Sequence, residues 1–391
     1  MRIAYIAVKG IPVGGGVEKV TEEIGSRLAA KGHEVVVYAS RDYGTSNGSY
    51  KGMKIKTVPS VNTKALHKLS ICYHATRDVL RNGDADLVHI HAVGPSIFSI
   101  FSRMKGIPTV VQTHGLEWKR DKWGLIGKTF LWLSDYSVVY FPNKATSVSK
   151  VQKQYYEEKF GREVVYIPNG VSPVDYRPPN WIIEKGISPN QYIFFAARLV
   201  EEKGAHFLIE AFRGLKTDMK LIIAGDAAHA ERYKVYLKDL AGNDPRILFL
   251  GFITGLPLEE LFSNAYLFCL PSTMEGLPVA LLEAMNYGNC CVSSDIPENL
   301  EAMEHHGYTF QNRDPKDLRR VLKDLIENPE KVETKKKAAL EHIRREYSWD
   351  SVTDQMEALY LSLVKKKGTD IPLCVDDLME VKNGWNTGSN L

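Results

Sequence analysis

Two carboxylates, Glu275 and Glu283, stand eight residues apart in the run Pro271-Ser272-Thr273-Met274-Glu275-Gly276-Leu277-Pro278-Val279-Ala280-Leu281-Leu282-Glu283-Ala284-Met285. A strand over 266–270 leads into the run, and Val279, Leu282 and Met285 recur beyond it at helical spacing. The first acid therefore falls in a loop and the second on a helix, about one turn further on. Gly276 permits a tight backbone, and a helix start offers free N–H groups to an anion. Pro278 has no N–H and suits the first helical turn. An acid for hydroxyls beside an amide cradle for phosphate is what a nucleotide-sugar site requires. Upstream, Ala197-Arg198-Leu199-Val200-Glu201-Glu202-Lys203-Gly204 follows another strand and holds two cations five residues apart at a strand–helix turn. Cations so placed can converge on a diphosphate, Arg198 by bidentate contact and Lys203 as a point charge.

The first half of the chain carries further candidates. Gly14-Gly15-Gly16 lies between the first strand and the first helix, where glycines let a phosphate or sugar approach the backbone. It lacks the spaced GxGxxG dinucleotide pattern, and a simple turn is the equal alternative. Gln112-Thr113-His114-Gly115 ends a strand, so His114 sits at a carboxyl end; a helix cap or core position is its plainer reading. Asp84-Ala85-Asp86 has the spacing of a metal-binding pair, but it precedes a strand rather than following one. His89 and His91 alternate onto one face with no third ligand at regular spacing. They read as buried structural residues, His91 being the nearer to the crevice. Trp118, Lys119, Arg120, Lys122 and Trp123 interleave aromatics with cations, a mixture suited to a bilayer interface or a lipid-diphosphate acceptor. The rival is internal packing of both tryptophans. The same mixture can meet nucleic acid, a reading the sugar-nucleotide motifs set aside.

These residues need a frame. Strand and helix patterns alternate along all 391 residues, which predicts parallel sheets with helices on both faces. The first half reads as strands at 2–8, 34–39, 54–58, 86–91, 108–113, 144–148 and 164–167, with helices at 17–31, 62–82, 93–104, 127–140 and 149–160. The second half reads as strands at 192–197, 220–225, 247–250, 266–270 and 290–294, with helices at 204–213, 229–241, 257–264, 278–287 and 315–327. Residues 328–366 form two more helices. The boundary falls in 169–190, which holds Pro173, Pro178, Pro179 and Pro189. Composition is globular, at 44% hydrophobic and 25% charged, and no stretch is long and apolar enough for a spanning helix. No secretory signal is expected, so Asn47-Gly48-Ser49 reads as a turn rather than a glycosylation site, and the cysteines read as reduced thiols. Net charge is uneven: residues 1–175 carry 24 Lys and Arg against 15 Asp and Glu, whereas the remainder carries 26 against 32. A basic first half favours anionic partners.

Taken in order, these motifs resemble those of the retaining glycosyltransferases of family 4. The Glu275–Glu283 segment looks like that family's paired-glutamate region, and Arg198 and Lys203 match its two cations. Ile223-Ala224-Gly225-Asp226, Asn169-Gly170-Val171 and the 14–16 glycine loop also fit. The segment 115–124 is similar to a subgroup that includes rhamnosyltransferases of bacterial surface-polysaccharide assembly. The resemblance covers roughly residues 2–365 and implies the α/β GT-B fold, two Rossmann-like domains facing across a cleft. Expected boundaries are 1–172 for an acceptor domain and 173–346 for a nucleotide-sugar domain. A helix at 347–366 would cross back to the first domain, and 367–391 would form a loose tail. The implied donor site comprises Gly15, Gly16, Arg198, Lys203, Gly225, Glu275, Gly276, Leu277 and Glu283, with His114 near the reacting bond. The implied donor is a nucleoside-diphosphate sugar, UDP ahead of GDP or dTDP, and the implied acceptor is a glycan or lipid-linked. No cofactor, catalytic metal or nucleic-acid partner is expected. The expected location is cytoplasmic, peripheral on the inner face of the membrane. A sugar-nucleotide epimerase or phosphorylase of the same fold, or a silent carbohydrate-binding protein, are the alternatives.

Overall fold

The computed structural model describes residues 1–12, 15–43, 47–61, 63, 66–119, 124–227 and 231–365. The chain divides into two compact units, Met1–Pro168 joined by the helix that starts at Trp349, and Asn169–Ser348.

Unit 1 is built on strands β1 (Arg2–Ile6), β2 (Glu34–Ser40), β3 (Gly48–Tyr50), β4 (Met53–Val58), β5 (Leu87–His91), β6 (Thr109–Thr113), β7 (Lys144–Ser147) and β8 (Val164–Tyr166). Their order across the sheet is β3-β4-β2-β1-β5-β6-β7-β8, and every pairing is parallel except β3 with β4. Helices α1 (Gly16–Ala30), α2 (His67–Asn82), α3 (Ser99–Met104), α4 (Leu125–Tyr140) and α5 (Lys150–Phe160) connect them.

Unit 2 continues with α6 (Asn180–Glu184), α7 (Ala205–Arg213), α8 (Glu231–Ala241), α9 (Leu256–Ser263), α10 (Val279–Asn286), α11 (Pro297–Met303), α12 (Pro315–Glu327) and α13 (Pro329–Glu346). Its strands are β9 (Tyr192–Ala196), β10 (Lys220–Ala224), β11 (Ile247–Gly251), β12 (Leu267–Leu270), β13 (Cys291–Ser294) and β14 (Tyr308–Phe310). They form an all-parallel sheet in the order β11-β10-β9-β12-β13-β14. The final helix, α14 (Trp349–Lys365), belongs to unit 1.

Side-chain alternation along the strands builds two cores, one on each face of the first sheet. Ala4 and Ile6 of β1 join Val88 and Ile90 against Ile71 and Val79 of α2 and Tyr156 and Phe160 of α5. Ile3 and Tyr5 point the other way, into Val20, Ile24 and Leu28 of α1 and Trp349, Met356 and Tyr360 of α14. Trp349 is buried, and with Val352, Met356, Tyr360 and Leu363 it makes the stripe that seats α14 on unit 1. Arg27 to Asp350 at 2.7 Å and Lys31 to Asp354 and Glu357, each at 2.5 Å, line the edge of that seam. Such exposed pairs add little beside the apolar burial.

Four differences from the sequence reading have local causes. The chain enters unit 2 after Pro168 and leaves it after Ser348, not at 172 and 346. The reason is that Val171 donates its N–H to Tyr347 at 2.6 Å and bridges to Ser348, which ties both crossings to unit 2. The Pro-rich boundary contains α6, whose Trp181 and Ile182 amides are met by the Glu260 carboxylate at 2.7 and 3.2 Å. Asn47-Gly48-Ser49 leads into the short strand β3, and Asn47 Oδ1 accepts from the Thr57 amide at 2.7 Å. Residues 297–303 and 308–310, to which the sequence reading assigns no element, form α11 and β14. The expected loose tail at 367–391 lies outside the described residues.

Candidate active site

Strand order reverses between β9 and β12 in the second sheet. Connections leave in opposite directions there, which opens a crevice at the carboxyl ends of the two strands. The loop after β9 carries Arg198 and Lys203, and the loop after β12 carries Glu275, Gly276 and Leu277. The two loops are fastened together. The Thr273 amide donates to the Glu202 carbonyl at 2.9 Å, and Lys203 Nζ reaches both Glu275 oxygens at 2.6 and 2.7 Å. The side chains of Lys203 and Glu275 are only 17% and 7% exposed. Arg198 is exposed, with its guanidinium 3.4 Å from Glu202.

Two glycines make this approach possible. Gly204 has φ +68°, and a Cβ on it would overlap the carbonyl oxygen of Pro271. Gly225, after β10, has φ +147°, and a Cβ there would overlap the carbonyl oxygen of Ala197. The Leu199 amide also donates to the Asp226 carbonyl at 3.0 Å, so three strand-end loops lie backbone to backbone. From β13, Ser294 Oγ donates to the Ser272 carbonyl, and Asn299 of α11 donates to Ser294 at 3.0 Å. Nothing in the spacing of the motif announces that support.

Pro278 precedes the first turn of α10 rather than lying in it. Its carbonyl accepts from Leu281 and Leu282 at 2.9 and 3.1 Å. The first amides of the helix have no acceptor within it and remain available to an anion. Glu283 is half-buried in the second turn of α10.

In unit 1 the strand order reverses between β1 and β5. Gly15 and Gly16 lead from β1 into α1; Gly14 lies outside the described residues. A Cβ on Gly15 would overlap the Glu18 carboxylate, which accepts from the Lys9 amide at 3.2 Å. A line of rings runs from α14 across β1 and β5 to the residue after β6. Tyr5 and Tyr360 hydroxyls are 3.2 Å apart, and Tyr360 bonds His89 Nδ1. His89 stacks on His91 at 4.2 Å, and His91 Nδ1 lies 3.2 Å from His114 Nε2. Thr21 of α1 reaches the other nitrogen of His91 at 3.4 Å. Burial, with the His114 charge behind it, pushes His89 down to about 3. Burial, then His89 and His114, holds His91 well below the ordinary range. Both rings are therefore neutral at pH 7. The sequence reading of His89 and His91 as buried is correct, but their link to His114 was not visible in it.

Asp84 and Asp86 serve structure: Asp84 pairs with Arg2 at 2.5 Å, and Asp86 accepts the Arg2 amide at 2.7 Å. Of the proposed surface cluster, the described side chain is that of Trp118. It is half-buried, 6.4 Å from the Tyr155 ring, with its indole nitrogen buried. Arg120, Lys122, Trp123 and the Lys119 side chain lie outside the described residues. The exposed apolar side chains nearby are on α4: Leu125, Ile126, Phe130, Trp132 and Leu133.

Residues 14–174 match the sequence profile described as Glycosyltransferase Family 4, and residues 180–342 match that of Glycosyl transferases group 1. The chain belongs to glycosyltransferase family 4. This glycosyltransferase is 24% identical over 311 residues to the alpha-maltose-1-phosphate synthase of Mycobacterium tuberculosis, covering 71% of this chain and 79% of the relative. It is 25% identical over 377 residues to the phosphatidyl-myo-inositol mannosyltransferase of Mycobacterium leprae, covering 92% and 96%. Among solved structures, sucrose-phosphate synthase from Thermosynechococcus elongatus superposes with a TM-score of 0.81 at 17% identity, over 93% of this chain and 98% of its own. Anabaena HepE in complex with UDP and glucose gives 0.78 at 20% identity, over 93% and 100%. The fold of the glycosyltransferase is GT-B.

Proposed function

We propose that this glycosyltransferase moves a sugar, with retention, from a nucleoside-diphosphate sugar to a glycan or lipid-linked acceptor in surface polysaccharide or glycoconjugate synthesis. The observation that carries the donor assignment is the Lys203–Glu275 pair at the β9/β12 reversal, with Arg198 on the same loop as Lys203. The C–O bond from the anomeric carbon to the diphosphate breaks while one to the acceptor oxygen forms, and the acceptor hydroxyl's proton passes to the departing diphosphate oxygen. Charge grows on the leaving diphosphate, and Arg198 and Lys203 meet it. Glu275 orients Lys203 and accepts from donor-sugar hydroxyls; Glu283 accepts from the ribose. The Gly276 and Leu277 backbone, the start of α10 and the close approach allowed by Gly225 serve the sugar and phosphates. In unit 1, Gly15 and Gly16 leave room for the donor and His114 orients the sugar, with neutral His91 fixing its ring. UDP ranks ahead of GDP and dTDP, a reading supported by the Anabaena protein's complex with UDP and glucose.

The acceptor assignment draws support from the relative named for mannosyl transfer to phosphatidyl-myo-inositol. The bare apolar start of α4 and the basic balance of residues 1–175 support a place on the inner membrane surface.

Melting with UDP, GDP, ADP and dTDP, then with their sugars, tests the donor site. A bound diphosphate at 100 times its Kd adds about 2.7 kcal/mol. No rise with any of the four would remove the donor assignment. The anomeric configuration of the product, read by NMR, decides retention.

A further inference from the structure

Unit 2 holds a second group of chemically capable side chains, on elements other than the donor loops. Glu304 ends α11, His306 lies in the turn before β14, and His342 is on α13. One ligand atom from each of the three lies within 4.8 Å of the others. Glu304 Oε2 stands 3.7 Å from His342 Nδ1, and the His306 and His342 rings are 4.6 Å apart. His342 is 1% exposed, and among the described residues neither of its ring nitrogens has a hydrogen-bond partner. A buried imidazole with both nitrogens unmet is costly and calls for an explanation. The neighbouring Tyr347 ring meets His342 edge-on at 5.9 Å.

We propose that Glu304, His306 and His342 bind one divalent transition-metal ion of the zinc class. Two imidazoles and a carboxylate are the ligand types such ions prefer, whereas calcium and magnesium prefer oxygen throughout. With metal–ligand bonds of about 2.0–2.2 Å, tetrahedral ligands stand roughly 3.3 Å apart. The Glu304–His342 separation of 3.7 Å is close to that. The remaining closure falls to Glu304, which is exposed, and His306, which is half-buried; both can turn toward the fixed His342. Three protein ligands leave the fourth position to water. The ion would clip the turn between α11 and β14 to α13, and α11 is the helix whose Asn299 supports the loop after β12 through Ser294. The sequence hides this set, since Glu304 and His306 are neighbours but His342 arrives from a distant helix.

The test uses the full chain, stripped with chelator and free of nucleotide, titrated with ZnCl2 by calorimetry. One equivalent per chain is expected, with a rise in melting temperature. Cobalt substitution should give the visible absorption of a four-coordinate site. Because His342→Gln risks misfolding, the test rests on Glu304→Gln and His306→Gln at the more accessible positions. Each should weaken zinc binding at least tenfold, and His306→Gln should abolish the melting shift. The proposal is overturned if the wild-type chain shows no saturable zinc binding. It is equally overturned if a Glu304→Gln/His306→Gln double variant binds zinc as tightly as wild type.

Discussion

Lys203 and Glu275 set opposite charges where little water reaches, so each depends on the other. Replacing Lys203 by Met leaves the Glu275 carboxylate uncompensated, a loss of about 3–5 kcal/mol for a buried pair. A Lys203→Met/Glu275→Gln double variant should regain most of that stability in urea unfolding. Its turnover should stay down about 10²–10³-fold at saturating donor, the cost of losing one charge-stabilising contact. Arg198→Ala, at an exposed position, should lose turnover with little change in stability. Recovery of turnover in the double variant would show that Lys203 acts only as a partner to Glu275. His89 adds a pH dependence of known sign. Its native value of about 3 lies below the ordinary 6.5, so between those limits the unfolded chain binds a proton that the native chain does not. Stability is complete above about pH 6.5 and falls as pH drops toward 3, His89 alone costing about 2 kcal/mol at pH 5. A His89→Asn variant should show a flatter stability profile between pH 7 and pH 5. Parallel profiles would mean that His89 is not held neutral.

At the scale of elements, legibility followed length and punctuation. Helix α12 has the bounds expected for it, and its ends are well marked: Asp314 caps the Lys316 and Asp317 amides, Pro315 opens the first turn, and Leu318, Val321, Leu322 and Leu325 keep helical spacing. Helices α6 and α11 run five and seven residues, too few to establish a period, and β3 and β14 run three each. The placement of Arg198, Lys203 and Glu275 in loops was legible, since each follows a strand. That Lys203 meets Glu275 was not, because it depends on β9 lying beside β12 while β10 and β11 intervene in sequence. Gly204 tests that adjacency. Gly204→Ala forces a Cβ against Pro271 at φ +68°, a strain of about 1–3 kcal/mol. It should destabilise unit 2 and weaken UDP binding. Gly16→Ala, which meets open space at the start of α1, serves as the comparison and should be near neutral in stability. Equal effects of the two substitutions on stability would remove the close-approach argument.

For the whole molecule the open question is where the two ends of the reaction find each other. A nucleotide sugar diffuses, whereas a lipid-linked acceptor stays in a bilayer, and no described helix is long and apolar enough to cross one. Residues 1–175 carry a formal excess of nine positive charges, while the rest of the chain is acidic. Leu125 and Ile126 at the head of α4 are 86% and 89% exposed, an unusual expenditure of apolar surface at a helix start. Fully burying such a side chain is worth about 1.5–3 kcal/mol, and each Lys or Arg near an anionic surface adds about 1 kcal/mol. Among the described residues of this region, the exposed apolar side chains are on α4, which makes it the element to test. Sedimentation with anionic vesicles should exceed that with neutral ones and weaken with salt. A Leu125→Ser/Ile126→Ser variant should bind at least tenfold less while keeping its melting temperature and its transfer to a soluble acceptor analogue. Partitioning that is unchanged in this variant would show that α4 does not meet the membrane, and the acceptor would then have to be sought among soluble glycans.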